Sequence, residues 1–338
     1  MKPPPLLERK SGTPPSSQQS PIFKPIAAEL AQVDSVLREE LYSRYPFVNE
    51  LVDHITAYQG KRLRSSLLLL VGKATGNLCP SHSLLAAVVE MIHTATLVHD
   101  DVLDQAVVRR HRATVNAEWG TETSVLLGDY LFTHAFHLAS SLDSTLACRL
   151  IGRATNIVCE GELHQIYHRG QLELSEQEYL EIIEGKTAEL CAVCSQLGAH
   201  FAGASSAVEH SMDRFGRNLG MAFQIADDLL DLLGEEGRVG KSLGTDLEQR
   251  KLTLPLIWLL QNTSADMARA ARRVLSNQDS NSLAELRPIL EQSGAIDYAQ
   301  RQAARFAASA LEELCDLDDS PAKQSLEKLT HFVVNRSA

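Results

Sequence analysis

Two short acidic runs hold the most concentrated chemistry in this 338-residue chain. Asp100-Asp101-Val102-Leu103-Asp104 and Asp227-Asp228-Leu229-Leu230-Asp231 share one pattern, an aspartate pair followed by a third aspartate after two apolar residues. On a helix, residues four apart share a face. Asp100 and Asp104 therefore lie about one helical turn apart, as do Asp227 and Asp231, where one turn is about 5.4 Å. Such a pair is a chelate for a hard divalent cation. Mg²⁺ takes oxygen ligands, keeps several waters, and is bound by one or two carboxylates together with substrate phosphate oxygens. The alternative reading of a single run is a solvated acidic turn, and one Asp-Asp-x-x-Asp arises by chance in roughly one chain in twenty. Two copies make chance a poor account. Apolar sequence precedes both, Ala95 to Val98 and Phe223 to Ala226, which a surface charge run would lack.

Cations accompany the acids. Arg109 and Arg110 follow the first run, Gly60-Lys61-Arg62-Leu63-Arg64 leads into an apolar segment, and Lys186-Thr187 and the stretch from Lys241 to Lys251 complete the set. Arginine forks and lysine point charges are the usual partners of phosphate oxygens. Any one basic pair is more often an exposed ion-pair partner. Together with the aspartates they predict two anionic groups in one cavity.

The elements that must position these residues are helices. Apolar residues recur at three- and four-residue spacing over Ile26 to Leu41, Ser65 to Ala74, Leu84 to Leu103, Val125 to Ala139, Thr145 to Tyr167, Gln177 to Ala199, Met212 to Leu233 and Ala295 to Leu314. Strand alternation bounded by hairpin turns is missing, and Gly or Pro punctuates the gaps. No repeat of 20 to 50 residues points to a solenoid. The pattern predicts one all-α domain from residue 25 to 338, a bundle around a central cavity. Residues 1–24 hold many of the prolines and too little apolar surface to repay ordering, so they read as a disordered tail.

Composition first points away from phosphorylated substrates. The formal net charge is −11, and the tail is positive, so the body is more acidic still, at about −14. Such a surface excludes nucleic acid as a partner. Divalent cations bound at the clustered aspartates would cancel that charge locally and invert the local field. The N-terminus lacks a secretory apolar region, and the longest uncharged run, Leu190 to Val208, is too polar for a bilayer span. Cytoplasmic location and reduced thiols are the expectation for the six cysteines. Cys191 and Cys194 lack a second ligand pair and read as helix packing.

In combination these motifs resemble the trans-isoprenyl diphosphate synthases, or polyprenyl synthetases. The resemblance spans about residues 25 to 336 and rests on GKRLR at 60–64, IHTATLVHDDVLD at 92–104, RR at 109–110, TVN at 114–116, GDYL at 128–131, KTA at 186–188, FQIADDLLD at 223–231 and GKSLGTDLEQRKLTLPL at 240–256. It implies the all-α isoprenoid synthase type I fold, a homodimer, and Mg²⁺-dependent condensation of isopentenyl diphosphate with an allylic diphosphate. It further implies transient membrane contact at most, when product is released. Asp100, Asp104 and Asp227 resemble direct metal ligands, and Asp101, Asp228 and Asp231 further or water-mediated ones. Lys61, Arg64, His93 and Arg110 resemble the isopentenyl diphosphate pocket. Arg109, Lys186, Thr187, Gln224, Lys241 and Lys251 resemble the allylic side, where Arg109, Lys186 and Lys241 would stabilise departing diphosphate. The chain departs from the usual pattern at Ser65, where Pro commonly stands, at His111, where Gly does, and at Glu184-Gly185, which lack the frequent aromatic before KTA.

Ala95 and Thr96, just below Asp100, are small. They would let a growing chain pass toward Ile92, Met91 and Val88, with Phe132 and Phe136 as lower floors or ordinary core aromatics, so a geranylgeranyl or longer product is expected, with a quinone side-chain precursor as one such product. Two rival readings are a class I terpene cyclase, which lacks the second aspartate run and the isopentenyl pocket, and a non-catalytic partner subunit, which would have lost charged positions that this chain retains. Glu90-x-x-His93 is one motif short of a di-iron bundle. Asp316 to Asp319 reads as a loop before a helix, and His134, His137, His164 and His168 as residues facing neighbours or solvent.

Overall fold

The computed structural model describes residues 21–58, 62–110, 112–233, 244–276 and 282–335. Helices dominate. After a 3₁₀ turn at Pro21–Ile26 come α1 (Ala27–Glu40), α2 (Pro46–Thr56), α3 (Leu63–Thr75), α4 (Pro80–Leu103), α5 (Val115–Ser140) and α6 (Thr145–His168). They are followed by α7 (Glu176–Ile183), a π turn (Glu184–Ala188), α8 (Glu189–Phe201), α9 (Ser206–Leu233), the short α10 (Thr245–Glu248), α11 (Leu254–Asn262), α12 (Ala265–Ser276), α13 (Ser282–Ser293), α14 (Ala295–Glu312) and α15 (Pro321–Asn335). The described residues begin at Pro21, four positions before the expected start of the domain. Phe23 is buried, so Pro21 to Lys24 belong to the packed body.

Local chemistry explains several starts. Pro46 and Pro80 occupy first-turn positions, where a missing N–H costs nothing. Thr114 and Ser144 cap α5 and α6 by accepting from Ala117 N–H and Leu146 N–H, and Ser175 with Glu178 forms a reciprocal capping box on α7. α5 begins ten residues before the expected segment. Gly120, at φ 82°, breaks its first turns, and this break hid the continuity from a periodicity reading.

α4 packs along α5, α8 along α9, and α3 and α14 flank that pair. One large apolar cluster joins α1, α3, α4, α5, α8 and the first half of α9, with Leu67 to Val71 and Leu85 to Val89 fully buried. A second cluster, built from α7, the latter half of α9 and α11 to α14, includes Ile225, Leu229, Leu254 and Leu286. Phe306 touches both. By length and composition α4 could cross a membrane, but 61% of its most apolar window is buried inside the fold. Cys191 and Cys194 are buried, free thiols on α8.

Two local departures matter for function. A two-residue antiparallel hairpin, β1 (Val108–Arg109) with β2 (Arg112–Ala113), follows the first aspartate run where no strand was expected. The predicted continuous helix over Gln177 to Ala199 is interrupted by the π turn.

Candidate active site

The first aspartate run closes α4. Asp101 is 2% exposed, and its Oδ1 accepts from Arg109 Nε at 2.7 Å. Hairpin β1–β2 brings that arginine back. Thr114 ties its base to Val107 and Ala106, Tyr58 hydroxyl donates to Ala113 carbonyl, and Arg110 Nη1 donates to Tyr58 carbonyl. Asp104 Oδ1 accepts from Arg169 Nη2 at 2.8 Å, and Lys251 Nζ lies 3.5 Å from its Oδ2. Among the described residues Asp100 has no such pairing bond. Burial, with Glu162 and Asp104 adding repulsion against the pull of Lys186 and Arg109, pushes its pKa up to about 6.

The second run lies within α9 and is satisfied differently. Asp228 accepts from Tyr179 hydroxyl at 2.6 Å and from Gln224 Nε2 at 2.7 Å. Asp231 accepts from Thr245 Oγ1 at 2.8 Å and from Asp246 N–H at 3.0 Å, at the start of α10. Burial raises the Asp228 pKa well above the carboxylate range, and the charges of Asp246 and Asp227 raise it further. Tyr179 is held up by burial and by Asp228.

Two connections make these runs one site. The segment from Gly244 to Lys251 touches Asp231 at its start and Asp104 at its end. The π turn links them less directly: Lys186 pairs with Glu162 and Gln165 of α6 and feels the charges of Asp100 and Asp104, while Thr187 Oγ1 donates to Gln224 Oε1 at 2.7 Å and Gln224 Nε2 donates to Asp228. Burial pulls the Lys186 pKa down, but Asp100, Glu162 and Asp104 outweigh it, and the net shift is upward.

A cationic nest lies beside the first run. His93, Arg64, Arg109 and Arg110 repel one another: burial and then those three arginines push the His93 pKa well below its ordinary value. Arg110 is lowered by desolvation, then by Arg109, with Arg62 and Arg64 adding to the fall against the pull of Glu90. Among the described residues, buried Arg64 Nε has no hydrogen-bond partner. Like charges packed around an orphaned donor are arranged for an anion. Ser65 explains one departure from the family pattern. Its N–H donates to buried Glu90 Oε1 at 3.1 Å, a bond proline could not make. That bond and Arg62 also account for Glu90 without any metal.

Strain marks the same loops. The non-glycine residues with positive φ are Arg62 (49°), Gln105 (51°), Arg110 (49°) and Arg250 (56°) among the described residues. Each adjoins a site residue, as strained backbone commonly does.

Lys61 and Lys241 lie outside the described residues, as does His111. Ala95, Met91 and Ile92 are buried in α4; Thr96 hydroxyl donates back to His93 carbonyl; and the Phe132 ring, half-buried on α5, sits 5.9 Å from His99 on α4. Asp316 to Asp319 form the expected loop before α15, and His164 and His168 meet at 3.1 Å. Sequence reading missed Glu162, Gln165, Arg169, Tyr179 and Thr245. The only available signals were a basic residue at the end of α6 and a buried tyrosine, both of which are common.

The polyprenyl synthetase family model matches residues 45–293. The chain belongs to that family. It is 37% identical over 316 residues to an all-trans-nonaprenyl-diphosphate synthase (geranyl-diphosphate specific) of Rhodobacter capsulatus, covering 93% of this chain and 97% of that one. Identity to the octaprenyl diphosphate synthase of Escherichia coli is 34% over 313 residues, covering 92% and 96%. A polyprenyl synthase structure from Caulobacter crescentus, complexed with calcium and isoprenyl diphosphate, superposes with a TM-score of 0.90 at 35% identity, covering 98% of this chain and 100% of that one. This polyprenyl synthetase is therefore a prenyl-group transferase with the all-α isoprenoid synthase fold, as its motifs imply.

Proposed function

We propose that this prenyltransferase extends an allylic diphosphate with isopentenyl diphosphate to a long-chain, all-trans polyprenyl diphosphate, using Mg²⁺ held by Asp100, Asp101, Asp104, Asp227, Asp228 and Asp231. One observation carries the reading. The 244–251 segment contacts both aspartate runs, the π turn faces the first run through the charge of Lys186 and reaches the second through Gln224, and a separate nest of His93, Arg64 and Arg110 stands alongside. Two anion sites are what a two-diphosphate reaction requires.

The donor set fits the metal. Every clustered side chain offers carboxylate oxygen, and Asp100 and Asp228 are held up by burial, which a divalent cation relieves. An ion there would complete its shell with water and substrate oxygens. The Caulobacter relative holds calcium and isoprenyl diphosphate, in keeping with such an ion, three of them in this family's manner. When bound, Mg²⁺ supplies the charge that lets diphosphate depart.

The protein's own residues do the rest. Lys186, Arg109 and Lys251, joined by Lys241, neutralise the allylic diphosphate as its C–O bond breaks. Thr187 and Gln224 turn oxygen atoms toward the allylic cation. Arg64, His93 and Arg110, with Lys61, hold isopentenyl diphosphate so that its double bond attacks that cation. A proton is then lost from the new chain to the departing diphosphate. Small Ala95 and Thr96 leave room for a product longer than C20, in keeping with the octaprenyl and nonaprenyl products named for its relatives.

The same proposal includes a cytoplasmic homodimer that meets a membrane only as product leaves. Exposed Leu126, Leu163 and Tyr167 on α5 and α6 offer apolar surface for a second copy. The full chain is tested by incubation with labelled isopentenyl diphosphate, a panel of allylic primers and Mg²⁺, followed by chain-length analysis. Long all-trans products that vanish with a chelator are expected. No elongation of any primer would overturn the reading.

A further inference from the structure

Lys186 and Thr187 stand on backbone that helices rarely adopt. The chain makes a π turn at Glu184–Ala188, closed by Glu189 N–H donating to Glu184 carbonyl. Isolated π turns recur at functional sites, and they hold one more residue than an α turn. Here the turn aims adjacent side chains at different aspartate runs. Such a conformation needs outside support.

Arg217 supplies it from α9. Its Nη1 donates to Glu189 Oε2 at 2.6 Å and to Glu184 Oε1 at 3.0 Å, and its Nη2 lies 3.6 Å from Asp213 Oδ2. Glu184 opens the π turn and Glu189 directly follows it, so one guanidinium grips both ends. Glu189 is 4% exposed, and a carboxylate so buried requires a partner. The flanks are equally tight. A Cβ on Gly161 of α6 would stand 2.8 Å from Lys186 N, and one on Gly220 of α9 would stand 2.5 Å from Ala188 Cα. Glu184 is also one of the two residues that depart from the family pattern before KTA. Arg217 precedes Gln224 by two helical turns, about 10 Å along the axis, so its influence on the site runs through the π turn.

We propose that Arg217 is a positioning residue for Lys186 and Thr187, holding the π turn by its two ends so that they present one geometry to the allylic diphosphate. The inference rests on the reading that these two residues contact that substrate. It is tested by steady-state kinetics on Arg217→Lys, Arg217→Gln and the double variant Arg217→Gln/Glu189→Gln, the last leaving no buried carboxylate unpaired. KM for the allylic diphosphate should rise about tenfold in Arg217→Gln and in the double variant, as expected for the loss of a charge-assisted pair. KM for isopentenyl diphosphate should stay within about twofold. Arg217→Lys, which cannot fork between two carboxylates, should fall between. An unchanged allylic KM in the folded double variant would overturn the inference. So would a parallel rise of both KM values, which marks general loosening. Lys186→Ala separates the two layers of the argument: if it leaves allylic KM unchanged, the assignment of Lys186 fails, whereas if it raises KM and Arg217→Gln does not, only the clamp fails.

Discussion

The two aspartate runs have the same spelling and opposite surroundings. The run ending α4 is met by cations: Arg109 on Asp101, and Arg169 and Lys251 on Asp104. Within α9, Asp228 and Asp231 are met by neutral donors: Tyr179 and Gln224 on Asp228, and Thr245 with the Asp246 N–H on Asp231. The difference follows from position. A helix end opens onto loops, where long cationic side chains can fold back, and a helix interior meets only what its packed neighbours present. On the proposed function, the first run would exchange these cations for metal and pass them to diphosphate. Burial resists charge in both runs, at Asp100 and Asp101 as at Asp228, but Asp228 and Asp231 are held by neutral hydrogen-bond donors.

Neutralising Asp100 or Asp227 tests whether the runs share one task. Asp100→Asn and Asp227→Asn should each lower kcat at least about 10³-fold with helical circular dichroism intact. Near wild-type turnover in saturating Mg²⁺ for either would break the pairing. Stability should then separate the runs. Asp101→Ala strands the Arg109 guanidinium and should cost about 3 kcal/mol in denaturant unfolding. Asp228→Asn removes a charge that burial opposes and should change stability by less than about 1 kcal/mol, or raise it. Equal losses would show that the two surroundings are equivalent after all.

Ala95→Phe probes the space below the first run. It should shorten the product distribution, read by chromatography of the hydrolysed prenols, and unchanged lengths would refute a pocket there. The smallest effect concerns the cationic nest. The folded pKa of His93 lies below its ordinary 6.5, so the unfolded chain binds the extra proton first. Its contribution to stability is therefore present above pH 6.5 and is lost as pH falls below it. The charged groups that oppose its protonation are Arg64 on α3 and Arg109 and Arg110 on the hairpin. His93→Gln should flatten the acid limb of the stability curve, and an unaltered slope would remove His93 from that nest.

Much of the site was legible because it is written in local spacing. Aspartates four apart must share a helix face, and Lys186-Thr187 and Arg109-Arg110 stood out as paired polar residues amid apolar sequence. Arg169, Glu162 and Tyr179 did not, because each gains meaning only from a partner distant in the chain: Asp104 is 65 positions from Arg169, and Asp228 is 49 from Tyr179. The hairpin escaped notice because two-residue strands leave no alternation to detect. The π turn escaped because one inserted residue barely disturbs an apolar pattern that is buried on every side.

By itself, then, the sequence determined the helical class, the two metal-type aspartate runs, the accompanying cations and the family, since each depends on residue type and on spacings of four or fewer or on motif order. Only the tertiary structure decided that Asp101 and Asp104 rest on cations and Asp228 and Asp231 on neutral donors, that four arginine and histidine side chains crowd into one nest, and that Arg217 grips the turn carrying Lys186. Those are properties of which faces meet when helices pack, and packing is set by the sum of many buried apolar contacts that no single motif encodes.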